Sequence, residues 1–116
     1  MELIIVLDIV LDEARVQKFF KSDVEFVETL KEDEVKVYRQ NDGQIAVVID
    51  LIYEDITEKT LQFFQIIAES IYFKYGENPV NLYVITLGCR VLVNEHEMPS
   101  IADFTIKLCC RDYSVL

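Results

Sequence analysis

Carboxylates near the ends of predicted strands are the side chains of this chain best suited to chemistry. Asp50 interrupts the apolar stretch QIAVVIDLIYED, and Glu34 begins the preceding strand-like segment. Mg²⁺ is usually bound by one or two carboxylates and keeps several waters. Held in this way, it can support the hydrolysis of phosphodiesters. We therefore take Glu34 and Asp50 as candidate catalytic and metal-binding residues, and Glu13 as a third candidate ligand.

The turn between the two segments predicts how close these carboxylates lie. Asp42-Gly43 supplies the positive φ angles of a tight hairpin. A turn centred there pairs Glu34 near Leu51, within one residue of Asp50. Adjacent positions in a strand need not share a face of the sheet. The sequence therefore leaves two interpretations of Asp50 open: a metal ligand, or a structural or solvated carboxylate.

Alternation along residues 44–53 places Asp50 opposite a uniformly apolar face of its strand. That face is the predicted core face, and it consists of Ile45, Val47, Ile49, Leu51 and Tyr53. An ionised carboxylate buried without partners is costly, so we expect Asp50 to be hydrated or hydrogen-bonded.

Other reactive side chains lack the spacing of a known kind of site. His96 is the only histidine and stands between two glutamates, which is typical of a solvated loop. The three glycines are scattered and form no phosphate-binding loop. Cys89, Cys109 and Cys110 do not have the Cys-x-x-Cys spacing of zinc or redox sites. They predict free thiols in a reducing compartment.

Composition limits the partners of the chain. Its 116 residues predict a single domain over 1–116, with a net charge of −10, of which residues 1–55 carry −8. Phosphate backbones are bound by clusters of Lys and Arg, so this charge makes nucleic acid an unexpected partner. No apolar run approaches the roughly 20 residues of a membrane span, and the N-terminus lacks a basic signal region. We expect a soluble cytoplasmic protein without a membrane partner.

The hydrophobic pattern predicts an α/β (α+β) fold with the element order βαβββαββ(α). We expect a mixed sheet of about five to six strands, which includes a three-strand antiparallel meander, and two to three helices. The predicted elements are a strand at 3–11, a helix at 13–22 capped by Asp12, strands at 24–30, 34–40 and 44–53, a helix from Asp55 to Tyr75, and strands at 81–87 and 89–95.

Two segments fit more than one element. Residues 24–30 alternate like a strand with Val24, Phe26 and Leu30 on one face, but a helical spacing fits as well. Residues 101–111 favour a helix, because Ser100 with Asp103 resembles a capping pair. The same segment also alternates as a strand would, through Phe104, Ile106, Leu108 and Cys110.

The helix from Asp55 to Tyr75 has an apolar arc wider than the roughly 100° that packing on one sheet requires. Asp55 with Glu58 predicts its N-terminal cap, and Gly76 its left-handed C-terminal residue. The surplus apolar surface leaves two interpretations open: a helix packed between the sheet and other elements of the chain, or association, most simply as a homodimer or with another protein. The predicted interface residues are Leu61, Phe63, Phe64, Ile67 and Ile71.

The order helix, three-strand meander, helix and strand over residues 12–87 resembles the core of the PD-(D/E)XK, or restriction-endonuclease-like, nucleases. The segment from VKVYRQNDGQ to NLYVITLG is similar in texture to the transposase-associated branch. The resemblance implies that Glu34 and Asp50 take the positions of the acidic motif and bind Mg²⁺. No other cofactor is expected.

The chain departs from the family motif at two places. Ile52 stands where the motif has Lys or Gln, and Glu34 stands where it has Asp. With these departures, the resemblance implies an inactive nuclease-like relative that works through association. A Mg²⁺-dependent nuclease is the alternative, and an acidic inhibitor that mimics nucleic acid is a third.

Overall fold

Six strands form one mixed sheet in the computed structural model of the chain, which describes residues 7–9, 13–30, 34–51, 55–86, 91–92 and 101–110. The strands of this sheet are β1 (Leu7–Ile9), β2 (Glu25–Leu30), β3 (Val35–Arg39), β4 (Ile45–Leu51), β6 (Val80–Thr86) and β8 (Phe104–Cys110). The helices are α1 (Glu13–Ser22) and α2 (Glu58–Tyr75), and two short strands, β5 (Ile56–Thr57) and β7 (Val91–Leu92), pair separately.

The sheet has an antiparallel half and a parallel half. Its strand order is β1-β8-β6-β4-β3-β2. Strands β2, β3 and β4 form the predicted antiparallel meander, and β4, β6, β8 and β1 run parallel to one another. The predicted α/β (α+β) class and its mixed sheet are confirmed. Neither described helix is long and apolar enough to cross a membrane.

Both faces of the sheet are covered, which explains the nearly continuous apolar runs of β4 and β6. The larger core lies under α2, where Phe64 and Ile71 pack against Val47, Leu82 and their neighbours. A smaller apolar cluster lies under α1 and is described with the candidate site. The odd-numbered positions of β4 face α2, as the alternation predicted, so the even-numbered position of Asp50 faces α1.

Residues 104–110 form a strand, so the predicted helix over 101–111 is wrong. Strand β8 lies between β1 and β6 and pairs in parallel with both. Phe104, Ile106 and Leu108 point into the core under α2, and Cys109 points towards α1. Hydrogen bonding on both edges of the segment outweighs its local helical spacing, since strand preference depends strongly on neighbours.

Residues 25–30 also form a strand, with one irregularity that the sequence did not predict. The register with β3 shifts between Phe26 and Glu28, as at a β-bulge. Val27 and Leu30 pack against the core under α2, while Phe26 contacts Tyr38 on the α1 face. The bulge therefore separates Phe26 and Leu30, which the simple alternation had placed on one face.

Helix α2 begins at Glu58, three residues later than expected. Thr57 is its N-cap, and the Thr60 N–H donates to the Thr57 hydroxyl oxygen at 3.3 Å. The Thr57 N–H donates in return to Thr60 Oγ1 at 2.6 Å. The predicted cap at Asp55 is therefore wrong, because β5 takes up residues 56 and 57 first. Gly76 ends the helix at φ 70°, as predicted.

Candidate functional site

A cavity of about 170 Å³ lies between α1 and the sheet. Val16 and Phe20 of α1, with Val48 and Ile85 of the sheet, supply its apolar lining. The other lining residues carry polar or charged groups, and they are Gln17, Lys21, Glu34, Lys36, Tyr38 and Asp50. The two carboxylates selected from the sequence therefore share one cavity with two lysines.

Glu34 and Asp50 are direct neighbours across the β3–β4 hairpin. The register pairs Val35 with Ile49. One step further, the Asp50 N–H donates to the Glu34 carbonyl oxygen at 3.0 Å. Directly opposed residues project to the same face, with Cβ atoms about 4.5–5.5 Å apart. The predicted pairing of Glu34 near Leu51 is thus wrong by one residue, and the true register brings both carboxylates to one side of the sheet.

Lys36 was missed by the sequence analysis, although it lies on the same face as the carboxylates. It follows Glu34 by two residues and pairs with Val48, which precedes Asp50 by two. Residues two apart on a strand share a face. The family motif directs attention to the residue two positions after Asp50, and that residue, Ile52, lies outside the described part of the chain. Alternation through residues 34, 36 and 38 was the signal that could have identified Lys36.

The position of the cavity in the sheet agrees with a general rule for α/β proteins. Asp50 is the second-last residue of β4 and pairs with Ile85 of the parallel strand β6. In open sheets with parallel strands, ligands bind outside the carboxyl ends of those strands. Asp50 therefore lies near such a strand end, while Lys36 and Tyr38 extend the cavity along the α1 face of β3.

Aromatic rings border the cavity on the α1 face. Tyr38 lines it, and its ring centroid lies 5.0 Å from that of Phe20 and 5.7 Å from that of Phe26. Burial raises the pKa of the Tyr38 hydroxyl above its usual range, which keeps the phenol neutral and able to donate a hydrogen bond. Lys107 is held on the neighbouring strands, where its Nζ donates to the Tyr83 hydroxyl oxygen at 3.1 Å.

The two carboxylates fit a magnesium ion better than they fit a transition metal. Among the residues that the structure describes, no three His, Cys, Asp or Glu side chains form a group that could hold a metal. Mg²⁺ commonly uses one or two carboxylates, with waters and substrate phosphate as its remaining ligands. Glu34 and Asp50 supply two carboxylates on one face of the sheet. Glu13 is the first residue of α1, and its side chain lies outside the described part of the structure.

Most of the predicted interface residues lie inside the chain's own core. Leu61, Phe64, Ile67 and Ile71 are buried against the sheet, and Phe63 is half-buried. Those four side chains cannot contact a partner, because the sheet of the same chain already covers them. The large apolar side chains that α2 exposes are Ile66 and Phe73, which the predicted set did not contain.

Comparison of the chain with protein-family models, with curated proteins and with solved structures gives no match. The resemblance to PD-(D/E)XK nucleases therefore stays a prediction. Fold alone does not assign chemistry, so the functional argument depends on these side chains.

Proposed function

We propose that this chain binds a divalent cation and a phosphodiester of nucleic acid, in the manner of a metal-dependent nuclease. The observation that carries the proposal is the direct pairing of Glu34 with Asp50 in a cavity that also contains Lys36. The buried free thiol of Cys109 favours a reducing compartment such as the cytoplasm as its location.

Five of the six polar side chains of the cavity have a role in this proposal. Glu34 and Asp50 would hold the cation, which when bound supplies charge stabilisation and an activated water. Lys36 lies on the same face and would bind a phosphate oxygen, the task that the family motif gives to a lysine at the position of Ile52. Lys21 and Gln17 approach from α1 and would hydrogen-bond the same phosphate.

The acidity of the whole chain does not conflict with a local phosphate site. A net charge of −10 repels a long polyanion, but electrostatic interactions between exposed groups are screened beyond about 10 Å at 0.1 M salt. Within the cavity Lys21 and Lys36 balance the charges of the two carboxylates, and a bound cation would give an excess of positive charge beside the phosphate. The proposal predicts weak binding of long duplexes and productive binding of short substrates.

Titration calorimetry with Mn²⁺ and Mg²⁺ tests the cation site. The wild-type chain should bind one ion, and Asp50→Asn or Glu34→Gln should abolish that heat. Glu25→Gln is the matched control, since Glu25 is an exposed carboxylate on strand β2 outside the cavity. Equal binding by Asp50→Asn and wild type contradicts the proposal.

Cleavage of labelled oligonucleotides tests the second part. With Mn²⁺ present, wild type should release fragments. Both Asp50→Asn and Lys36→Met should lose most of the cleavage rate. Lys18→Met is the control for Lys36→Met, because Lys18 is an exposed lysine of α1 outside the cavity. A rate that Lys36→Met leaves unchanged would remove Lys36 from the site.

Self-association is a second candidate function, favoured by the exposed apolar side chains of α2. Phe73 is 76% exposed and Ile66 is 57% exposed, and both lie on one line of the helix with the half-buried Phe63. Three such side chains at a spacing of three and seven residues are typical of a helix that packs on a partner. Sedimentation equilibrium should give a dimer for wild type and a monomer for Phe73→Asp; a monomeric wild type contradicts this candidate.

A further inference from the structure

We infer that the phosphate cavity continues onto an exposed aromatic platform at Phe26, and that the occupant of this platform is an unpaired base of a single-stranded nucleic acid. The inference rests on the proposed function and names its substrate class. It starts from two observations that the cation site does not explain: the small size of the cavity and the exposure of one ring next to it.

The cavity is too small for a nucleotide. Its volume is about 170 Å³, whereas pockets that enclose whole small molecules usually measure about 300–1,000 Å³. A phosphate group and a cation fit within it, but the attached sugar and base must lie outside. Recognition of the base therefore has to come from the surface beside the cavity.

Phe26 provides that surface. It is 54% exposed, although its strand neighbours on the other face are packed against the core. The β-bulge after Phe26 allows this, since it keeps Phe26 on the α1 face while Val27 and Glu28 both lie towards α2. Phe26 is the cross-strand partner of Tyr38, whose side chain lines the cavity. Tyr38 therefore connects the exposed ring of Phe26 to the phosphate site.

The charges and the geometry favour a single strand over a duplex. A base can stack on a protein ring only when it is free of its own partner, and such stacking is sequence-tolerant. The basic groups in the cavity are Lys21 and Lys36, which match one or two phosphates rather than the rail of phosphates on a duplex. Strand β2 is also an edge of the sheet, so a flexible chain can pass over Phe26 without meeting another strand.

Fluorescence anisotropy with a short labelled oligothymidylate tests this inference, with and without Mn²⁺, while gels verify that the oligonucleotide stays intact. Wild type should bind the single strand at least tenfold more tightly than the matching duplex. Phe26→Leu should weaken binding of the single strand about five- to tenfold, the loss of one stacked base. Ile101→Val is the control, since Ile101 is an exposed apolar side chain outside the cavity, and it should bind as wild type does.

Two further measurements separate this inference from the proposed function. An oligonucleotide with abasic sites should bind wild type and Phe26→Leu equally, because the stacking partner is missing in both. The salt dependence should be shallow, with a slope of about −1.4 in log K against log salt for two phosphate contacts to a single strand. Unchanged binding by Phe26→Leu, or equal affinity for the duplex, overturns the inference even when Mn²⁺ still binds at Asp50. If the wild-type chain binds no Mn²⁺, that result overturns the proposed function instead.

Discussion

Replacement of Ile106 by Ala tests strand β8 directly. The sequence of this segment favoured a helix. Ile106 has no exposed surface and lies in the core under α2, between β1 and β6. The substitution removes three buried carbon groups, worth about 0.8 kcal/mol each. The cavity left behind adds about 1 kcal/mol, since paired strands on both sides limit its collapse. We expect a loss of about 3–4 kcal/mol in the free energy of unfolding.

Ile101→Ala is the matched control for this prediction. Ile101 is 39% exposed and precedes β8, so its loss should cost at most about 1.5 kcal/mol. A helix over 101–111 would reverse the order, because Ile101, Phe104 and Leu108 would form its buried face and Ile106 would point away from it. A strand predicts the larger loss in the free energy of unfolding for Ile106→Ala, and a helix predicts the larger loss for Ile101→Ala.

Urea unfolding followed by far-ultraviolet circular dichroism measures both variants, because the chain has no tryptophan to report by fluorescence. The expected loss for Ile106→Ala corresponds to a fall in Tm of about 12–16 °C, at roughly 4 °C per kcal/mol. Ile106→Val should lose about 1 kcal/mol and keeps the comparison measurable if the alanine variant does not fold. A smaller cost for Ile106→Ala than for Ile101→Ala would refute the position of β8.

Two other predictions concern α2. Because Thr57 is the N-cap, Thr57→Ala should lower the free energy of unfolding by about 1 kcal/mol, and Asp55→Ala should lower it less. Thermal unfolding of the two variants measures this difference. Burial, then the hydrogen bond to Glu28, raises the pKa of Tyr75 to about 12. A pKa raised in the folded state stabilises it fully below about pH 10, and that contribution should disappear between about pH 10 and 12. Unfolding against pH should show this loss in wild type and lack it in Tyr75→Phe.

The opposite sign applies to Glu28, which joins the same network. Its hydrogen bond from Lys74, then that from Tyr75, lowers the pKa of the Glu28 carboxyl. Lys74 Nζ lies 2.5 Å from Glu28 Oε2. A lowered pKa stabilises the folded state above the unfolded value of about 4.5. The contribution should be lost as the pH falls below that value, and Glu28→Gln should remove this part of the acid dependence.

Local patterns predicted the elements whose environment they encode directly. Alternation identified the core face of β4, and Asp42-Gly43 identified the hairpin, in which Gly43 has a φ of 86°. The Gly76 terminus of α2 was also predicted, since a left-handed residue there favours glycine. In each of these cases the physical cause lies within a few residues of the signal.

The parts that could not be predicted depend on distant neighbours. Residues 104–110 form a strand because they exchange hydrogen bonds with both β1 and β6, and the two local patterns of the segment, alternating and helical, did not decide between the two structures. The interface residues were misplaced because helical spacing cannot tell which apolar side of α2 the sheet covers. One residue of hairpin register decided whether Glu34 and Asp50 share a face, and Asp-Gly alone does not tell a two-residue loop from the three-residue loop between Gln40 and Gln44.

Lys36 shows the limit of reading a site through a family motif. The motif has its lysine two positions after Asp50, whereas Lys36 lines the cavity from the neighbouring strand β3. Side chains that converge in space from two strands are separated in sequence by the length of the hairpin. Alternation places Lys36 on the face of Glu34, and the register shows that Asp50 lies on that face as well.

A crystal structure of the chain grown with Mn²⁺ is the decisive test of a cation site at Glu34 and Asp50. We expect an anomalous difference peak between these two carboxylates, with Lys36 on the same side of the sheet. The peak should be missing from crystals of Asp50→Asn grown under the same conditions. A manganese ion bound elsewhere, with Glu34 and Asp50 pointing apart, would contradict the account.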